Sequence, residues 1–308
     1  MKHLFIVNPV AGNVDRTEDV RQAAKAAFTN EDDYEIYVTA GPMDAAAEVK
    51  KRGESGEQYR IYSCGGDGTF NECINGGIGF DNIAFAPFPV GTGNDFCRMF
   101  GQESELYRNL PAILAGSTRK IDAIDCNGRL SINLCSVGID ARIGCNVHKY
   151  SKIPLIGGAG GYVISAIVEM FRGIPMYMKI KCGDYESESK KTLACVCNGR
   201  YYGGGFNPCR YSLPDDGVLD IVIADKLNLL QFAGMIGKYA KGDCESLKAI
   251  SVLHGEDISI EFDGEQIINL DGEAMNAEKV EMRIVKQCIS LIVPEGMRFF
   301  EKNVTDNS

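Results

Sequence analysis

A change of pattern near residue 122 is the feature that most constrains the fold of this 308-residue chain. Before it, apolar runs such as residues 4–7 and 82–90 alternate with amphipathic, helix-like stretches such as residues 17–28. Strands that alternate with helices indicate a parallel sheet with both faces covered. After it, β-branched and alternating runs follow one another with few helices, which predicts a mainly antiparallel β-sandwich.

We therefore predict two domains. An α/β domain with a parallel sheet spans residues 1–122, and a β-rich domain spans residues 123–295. The C-terminal segment, about residues 296–308, could return to the first domain. Two helices are expected to interrupt the β-rich half, near residues 160–172 and 228–240.

Composition narrows the class of protein. A formal net charge of −10 and a pI near 5.0 argue against nucleic-acid binding, which needs a basic surface. The twelve cysteines include no CxxC pair and the three histidines are far apart, so neither a disulfide framework nor a zinc site is indicated. We interpret the thiols as buried apolar groups in a reducing cytoplasm.

No segment has the length of a membrane span. The longest uncharged stretch, residues 153–168, has sixteen residues, is interrupted by Pro154 and four glycines, and falls short of the roughly 18–20 that a spanning helix needs. The apolar run at the N-terminus is too short for a signal peptide. We predict no transmembrane segment, so any membrane contact must be local.

The most informative motif is the turn Gly65-Gly66-Asp67-Gly68-Thr69, which follows a strand-like run. Its glycines can take positive φ and let backbone N–H groups approach a phosphate. Asp67 would repel a bare polyphosphate, so we infer that a divalent cation lies between them. The alternative interpretation is an ordinary Gly-Asp-Gly surface turn.

Similar turns follow the other predicted strands of the first half. Residues 8–12 follow the first strand, Thr39 closes the second, and residues 89–96 follow the fourth. The carboxyl ends of parallel strands share one edge of a sheet, where ligands bind. These turns are therefore expected to converge.

Together the motifs resemble a known family. Asn8-Pro9 with Gly12, residues 65–72 with Asn75-Gly76, and residues 91–96 resemble the diacylglycerol-kinase catalytic domain of the bacterial lipid kinases. The likeness continues, in order, through Ile121-Asp122, residues 136–141, residues 198–205, residues 214–220 and Asp271-Gly272-Glu273. It implies an NAD-kinase/phosphofructokinase-like first domain. It also implies transfer of the ATP γ-phosphate to the hydroxyl of diacylglycerol or a related lipid, giving a phosphatidic-acid-type product.

The resemblance also assigns an ATP and Mg²⁺ site. ATP would be held by Asn8, Gly12, Thr39, Gly65, Gly66, Gly68, Thr69, Glu72, Gly91, Thr92 and Asn94. Asp67 would reach the phosphates through Mg²⁺ and ordered water, with Asp95 and Asp122 as companions.

The same likeness points to Asp271 as the general base that accepts the proton of the lipid hydroxyl, with Glu273 close by. Taken alone, Asp-Gly-Glu is typical of a hairpin turn. The triplet occurs a second time at residues 263–265, which we interpret as only a turn. Leu270 and Ala274 fit the family pattern better and favour the later copy.

A further cation site is implied at Leu213, Asp216 and Val218, where one carboxylate and two backbone carbonyls would bind a structural ion. The alternative is a tight turn capped by the aspartate. One departure from the family is Asn13, since relatives often carry a lysine there. Arg16 could substitute for it.

The sequence gives a weaker indication of the residues that contact lipid or membrane. His148, Lys149 and Lys152 precede the apolar residues 153–168 and could form a basic lip for anionic headgroups. A solvated loop before a core helix is the alternative. The resemblance implies a lipid substrate at the membrane surface, a cytoplasmic protein held peripherally at the inner face of the membrane, and a homodimer.

Three other functions stay open. A kinase for sphingoid bases or ceramide would share the motifs. NAD kinase shares the Gly-Gly-Asp-Gly-Thr turn but differs in the second half. A non-catalytic regulator that binds lipid or nucleotide would be expected to lack a carboxylate, whereas Asp67, Asp95, Asp122 and Asp271 are all present.

Overall fold

The computed structural model describes residues 1–12, 14–90, 94–143 and 175–301. The chain divides into two units. The first consists of Met1–Ile121 together with the chain from Gln287 onward, and the second is Asp122–Lys286.

The first unit is built on a parallel sheet. Its strands are β1 (Lys2–Val7), β2 (Tyr34–Val38), β3 (Tyr59–Gly65) and β4 (Ile83–Pro89), in the order β4-β3-β1-β2. Every pairing among them is parallel. Four successive residues of β1, from Leu4 to Val7, are fully buried, as expected for a strand covered on both faces. The predicted α/β class is confirmed.

Helices connect these strands. They are α1 (Thr17–Ala27), α2 (Asp44–Glu54), α3 (Asp67–Gly77), α4 (Asp95–Arg98) and α5 (Leu110–Ala115), with 3₁₀ turns at Glu31–Asp33 and Gly101–Arg108. Helices α2 and α3 approach each other closely at Gly76. A Cβ there would lie 2.3 Å from the carbonyl oxygen of Ala46. Only glycine therefore fits at this crossing.

The C-terminal part of the chain completes the first unit. Within β13 (Glu273–Val293), Leu291 pairs in parallel with Phe85 of β4, and the hydroxyl of Tyr107 donates to the Ile292 carbonyl at 3.1 Å. Beyond the strand, the Phe299 ring meets that of Phe100 edge-on at 4.9 Å. This segment is thus held by both backbone and aromatic contacts.

The second unit is mainly antiparallel β. It contains the end of β5 (Ser117–Cys126), then β6 (Arg129–Ser131), β7 (Leu134–Gly138), β8 (Met176–Cys182), β9 (Tyr185–Cys197), β10 (Leu219–Asp225), β11 (Ile250–Gly255), β12 (Asp257–Leu270) and the start of β13. The order is β11-β10-β9-β7-β12-β13, while β8 joins β9 and β12 and β6 pairs with β5. All these neighbours are antiparallel. The predicted sandwich class is confirmed.

The second unit carries one helix that the sequence predicted, α6 (Leu229–Tyr239), opened by a capping box between Asn228 and Gln231. The helix predicted near residues 160–172 lies outside the described residues. Within the described part of the chain, no helix is long and apolar enough to cross a membrane. Ten of the cysteines that the structure describes are buried, as the sequence predicted.

The interpretation of residues 263–265 as a turn is wrong. They belong to the single strand β12, where Glu261 pairs with Lys279 and Gln266 pairs with Ala277. Four residues of β12 therefore oppose one of β13, which is a large bulge. Gly264 has a φ of 85°, which accommodates the bulge without ending the strand.

Gly76→Ala is expected to lower the free energy of unfolding by about 1–3 kcal/mol, because the new methyl group meets backbone atoms of Ala46 that cannot rotate away. Urea unfolding monitored by circular dichroism would measure the loss. Gly41→Ala is the control, since an added Cβ there meets nothing within 4 Å. Equal stability of the two variants would contradict the close α2–α3 crossing.

The first unit is expected to lose stability in acid because of His3. Partial burial, aided by the positive charges of Arg60 and the N-terminus, lowers the pKa of His3 to about 4. The folded state therefore disfavours the protonated ring, so stability present above pH ~6.5 is lost as the pH falls toward 4. His3→Gln should flatten this part of the stability–pH curve. An unchanged stability–pH curve in His3→Gln would contradict this prediction.

Candidate functional site

The glycine turn after β3 forms the start of α3. Gly65 ends the strand, Gly66 precedes the helix, and Asp67 is its first residue. None of Gly65, Gly66 and Gly68 has positive φ. The turn therefore does not use the left-handed conformation that its glycines allow. Glycine is needed at position 65 for space, because a Cβ would lie 2.3 Å from Oγ1 of Thr69. At Gly66 an added Cβ would meet nothing within 4 Å, so the backbone at the start of α3 is open.

A cavity of about 180 Å³ lies beside this turn. The residues that line it either follow β1 and β2 or belong to α2 and α3: Asn8, Pro9, Val10, Thr39, Ala40, Gly41, Pro42, Ala45, Thr69 and Glu72. The side-chain amide of Asn8 donates to Oγ1 of Thr69 at 3.0 Å. Four residues predicted to bind ATP therefore surround one cavity: Asn8, Thr39, Thr69 and Glu72. Gly12, with a φ of 82°, is outside this lining.

Asp67 has a structural task that the sequence did not indicate. One of its carboxylate oxygens accepts the backbone N–H of Asp95 at 2.9 Å, and the other accepts that of Phe96 at 3.0 Å. The side chain thereby caps the N-terminus of α4. A carboxylate has about four lone-pair sites, so two bonds leave acceptor capacity for a cation.

Asp95 lies directly beside this cap. It is buried, and its Oδ1 accepts from Nε of Arg98 at 3.2 Å. The residue before it, Asn94, has a left-handed backbone with a φ of 52°. Asp67 and Asp95 thus form an acidic pair at the start of α4. Gly91 and Thr92, two further residues predicted to bind ATP, lie outside the described residues, as does Asn13.

Asp122 belongs to the second unit, where it contacts the turn that carries the predicted metal ligands. It is only 1% exposed, and its Oδ2 accepts the backbone N–H of Gly217 at 2.9 Å. Its own N–H donates to the carbonyl of Pro214 at 2.6 Å. Asp122 therefore anchors both ends of residues 214–217, a role the sequence did not reveal.

The turn at Leu213, Asp216 and Val218 is strongly acidic. Asp216 Oδ1 accepts the N–H of Val218 at 3.0 Å, so the aspartate does cap the turn. The Asp216 side chain reaches solvent, but the surrounding protein partly desolvates it, and this raises the pKa of Asp216 to about 6. The negative charges of Asp220, Asp122 and Asp215 act in the same direction. Concentrated carboxylate charge of this kind suits a divalent cation.

Asp216 supplies the one carboxylate of the donor set that the sequence predicted at this turn, which also includes two backbone carbonyls. In the part of the chain that the structure describes, no three His, Cys, Asp or Glu side chains converge into a metal site. Mg²⁺ commonly uses one or two carboxylates and keeps several waters, so a side-chain trio is not required. Asp216 is the carboxylate that would hold it.

Asp271 occupies a hairpin turn, and its side chain is half-buried. Leu270 pairs with Glu273, while Asp271 and Gly272 have φ values of 50° and 98°, as a two-residue turn between strands needs. The carboxylate accepts three backbone N–H groups, from Ile132 at 2.7 Å, Asn133 at 3.0 Å and Leu134 at 2.9 Å. We call these three donors the amide cradle. Glu273 is exposed on the adjoining strand.

Opposing effects act on the acidity of Asp271. Burial raises the pKa of its carboxyl, while hydrogen bonds from the amide cradle and Ser131 lower it, and the net direction is upward. A raised pKa favours acceptance of a proton near neutral pH. The cradle was not predicted, because residues 132–134 are ordinary apolar and amide residues whose contribution is backbone N–H. His148, Lys149 and Lys152 lie outside the described residues.

Comparison with known families covers nearly the whole chain. The family model described as the diacylglycerol kinase catalytic domain matches residues 2–126. The model described as the YegS C-terminal NAD kinase beta sandwich-like domain matches residues 133–293.

Individual relatives of this chain carry names that agree with these family models. A Pseudomonas aeruginosa protein named "Probable lipid kinase YegS-like" is 27% identical over 289 residues, covering 93% of this chain and 92% of its own length. One of the same name from Pectobacterium atrosepticum is 26% identical and covers 97% and 98%.

Solved structures share the fold. A diacylglycerol kinase from Bacillus anthracis has a TM-score of 0.69 at 22% identity and covers 96% of this chain and 98% of its own. Yeast NADH kinase has a TM-score of 0.52 at 8% identity and covers 99% and 87%.

Mg²⁺ is expected to raise the melting temperature of the nucleotide-free protein at pH 7.5, because the cation would relieve the crowding of carboxylates at the Asp216 turn. Asp216→Asn should remove most of this rise. Below pH ~6, where Asp216 becomes protonated, the rise should also weaken in the wild type. Asp184→Asn, at an exposed carboxylate of the β8–β9 turn, is the control. An identical Mg²⁺ response in Asp216→Asn and wild type would exclude this turn as the site.

Proposed function

This chain belongs to the YegS-like family of lipid kinases, and we propose that it transfers the γ-phosphate of ATP to the hydroxyl of diacylglycerol or a closely related lipid. The product would be of the phosphatidic-acid type. The observation that carries this proposal is the half-buried Asp271, whose carboxylate is held by three backbone N–H groups and has a raised pKa. It has the properties that a general base for an alcohol requires.

ATP binds at the cavity of the first unit. Asn8, Thr39 and Thr69 offer amide and hydroxyl groups, and Glu72 offers an acceptor for nucleotide hydroxyl or amino groups. The open backbone at Gly66 and the N-terminus of the eleven-residue α3 provide N–H groups and a favourable dipole for the phosphates. The cavity and the adjoining N-terminus of α3, which meet at Thr69, together offer hydrogen-bond donors for a polyphosphate nucleotide.

Mg²⁺, when bound, supplies charge neutralisation for the transferring phosphoryl group. Asp67 and Asp95 are the carboxylates of the first unit that would hold it. Asp216, with the carbonyls of Leu213 and Val218, would hold a structural ion. Asp67 keeps acceptor capacity for this purpose while it caps α4.

Asp271 takes the proton of the lipid hydroxyl as the hydroxyl oxygen bonds to the γ-phosphorus. The bond between that phosphorus and the bridging oxygen to the β-phosphate breaks, and ADP leaves with the electron pair. Positioning and electrostatics account for most of the rate in such transfers. Glu273, two residues away and exposed, adds negative charge near the acceptor end.

We also propose a cytoplasmic protein that acts peripherally at the inner face of the membrane, as a homodimer. The net charge of −10 supports a contact confined to a local surface, because an acidic chain as a whole is repelled by anionic lipid. Sphingoid bases and ceramide present the same hydroxyl chemistry and belong in the substrate panel with NAD.

Phosphate transfer from labelled ATP to micellar diacylglycerol, sphingoid base, ceramide and NAD tests the proposal. We expect diacylglycerol to be the best acceptor. Asp271→Asn, which keeps the shape of the side chain but removes its basicity, should lower kcat about 10²–10⁴-fold. Asp263→Asn is the matched control, because Asp263 begins the identical triplet in the exposed bulge of β12 and should keep full activity.

Three outcomes would contradict the proposal separately. Phosphorylation of NAD but of no lipid would overturn the substrate class. Wild-type turnover by Asp271→Asn would overturn the assignment of the base. Absence of transfer to every acceptor, with ATP bound, would favour a non-catalytic binding protein.

A further inference from the structure

We infer that Asn198 is a positioning residue that fixes the amide cradle of Asp271 and ties it to the acidic turn around Asp216. This inference rests on the proposed role of Asp271 as general base. It gives a task to the motif at residues 198–205, which the proposed reaction leaves unused. The geometry that carries it lies entirely within the second unit.

Asn198 follows directly after β9 and is fully buried. Its side-chain nitrogen donates two hydrogen bonds, one to the carbonyl of Asp122 at 3.1 Å and one to the carbonyl of Ile132 at 2.9 Å. One amide group therefore joins the strand that carries Asp122 to the loop that carries the cradle.

The backbone after β9 holds the next peptide of the same loop. The N–H groups of Asn198 and Gly199 both donate to the carbonyl of Asn133, at 2.8 and 2.7 Å. Gly199 must be glycine for this approach, since a Cβ would lie 2.5 Å from Oδ1 of Asn133. Four hydrogen bonds thus converge on Asp122, Ile132 and Asn133 from two consecutive residues.

These bonds hold the same loop residues whose N–H groups form the amide cradle. Ile132 and Asn133 accept from residues 198 and 199 through their carbonyls, and they donate to Asp271 through their N–H groups. Holding both ends of a loop residue restricts the direction in which its N–H points. Chains of such bonds also polarise one another in a buried setting. Asn198 therefore controls how firmly the Asp271 carboxylate is held.

The network reaches the acidic turn by two routes. Asp122, whose carbonyl accepts from Asn198, receives the N–H of Gly217 on its carboxylate. Arg200, two residues after Asn198, donates from Nε to the carbonyl of Ser212 at 2.8 Å, just before the turn. A displacement of residues 198–200 would reach the turn and the cradle together.

The donor end of the Asn198 amide carries this role. Among the described residues, its buried Oδ1 meets no hydrogen-bond donor. Burial of an unsatisfied oxygen is unfavourable, so packing alone would be better served by an apolar side chain. The two bonds from the nitrogen are what asparagine adds at this position.

Asn198→Ala is the direct test, with Asn207→Ala as the matched control, because Asn207 is another buried asparagine of the same unit and is not bonded to the cradle. We expect Asn198→Ala to lower kcat about tenfold or more and to leave the KM for ATP within about twofold. Hydrogen exchange at the amides of residues 132–134 should accelerate. Asn207→Ala should show neither change.

The pH profile separates positioning from a general loss of structure. The cradle lowers the pKa of Asp271 against burial, so a loosened cradle should move the acid limb of kcat/KM to higher pH by about half a unit or more. Cys135 of β7 is the neighbouring titratable group that interacts with this carboxylate, and Ser131 bonds to it. Both are unchanged in the variant.

Gly199→Ala is the second variant, with Gly237→Ala as its control, where an added Cβ meets nothing within 4 Å. It should reproduce the effects of Asn198→Ala. If Asp271→Asn is inactive while Asn198→Ala and Gly199→Ala match their controls in kcat, acid limb and exchange, the inference alone is overturned. If both variants fail to fold, residues 198–199 are structural and the inference is likewise overturned. Turnover by Asp271→Asn would instead overturn the proposed base.

Discussion

Hydrogen bonding of aspartate carboxylates by backbone N–H groups is the interaction on which the candidate site depends. Asp67 accepts the N–H groups of Asp95 and Phe96, Asp122 accepts that of Gly217, and Asp271 accepts three from residues 132–134. In each case a charge that burial would penalise is stabilised by partial positive charge on the main chain. Each bond also orders the loop that supplies the N–H, so the same carboxylates shape the site they serve.

This arrangement differs from neutralisation by lysine or arginine in one chemical respect. Backbone N–H groups stabilise a carboxylate without cancelling its charge, and they leave lone pairs unused. A cation or a proton can then still be accepted, as a phosphoryl-transfer site requires. At Asp271 desolvation outweighs the amides and the pKa is raised, and at Asp216 desolvation, followed by the charges of neighbouring aspartates, also raises the pKa. In the proposed function these two carboxylates have different positive partners, a proton for Asp271 and a metal ion for Asp216.

Features that depend on residue type and spacing could be predicted from the sequence. The alternation of apolar runs predicted the parallel sheet, and the motifs predicted that Asn8, Thr39, Thr69 and Glu72 would meet. It failed where geometry decides. Two identical Asp-Gly-Glu triplets differ completely, because residues 263–265 form a bulge within β12 while Asp271-Gly272 forms the hairpin turn. The glycines at 65 and 66 can take positive φ but do not, and position 65 needs glycine for the space beside Thr69.

The sequence by itself determined the class of the two units, the family, and the set of acidic residues that could do chemistry, because hydrophobic period, glycine spacing and carboxylate identity are local properties. Only the tertiary structure decided what those carboxylates touch. Asp67 caps α4, Asp122 anchors the turn near Asp216, and Asn198 bonds to the loop that holds Asp271. These partners are separated by tens of residues and contribute backbone groups that every residue possesses. No pattern of side chains encodes such contacts, so they emerge only when the strands are paired in register.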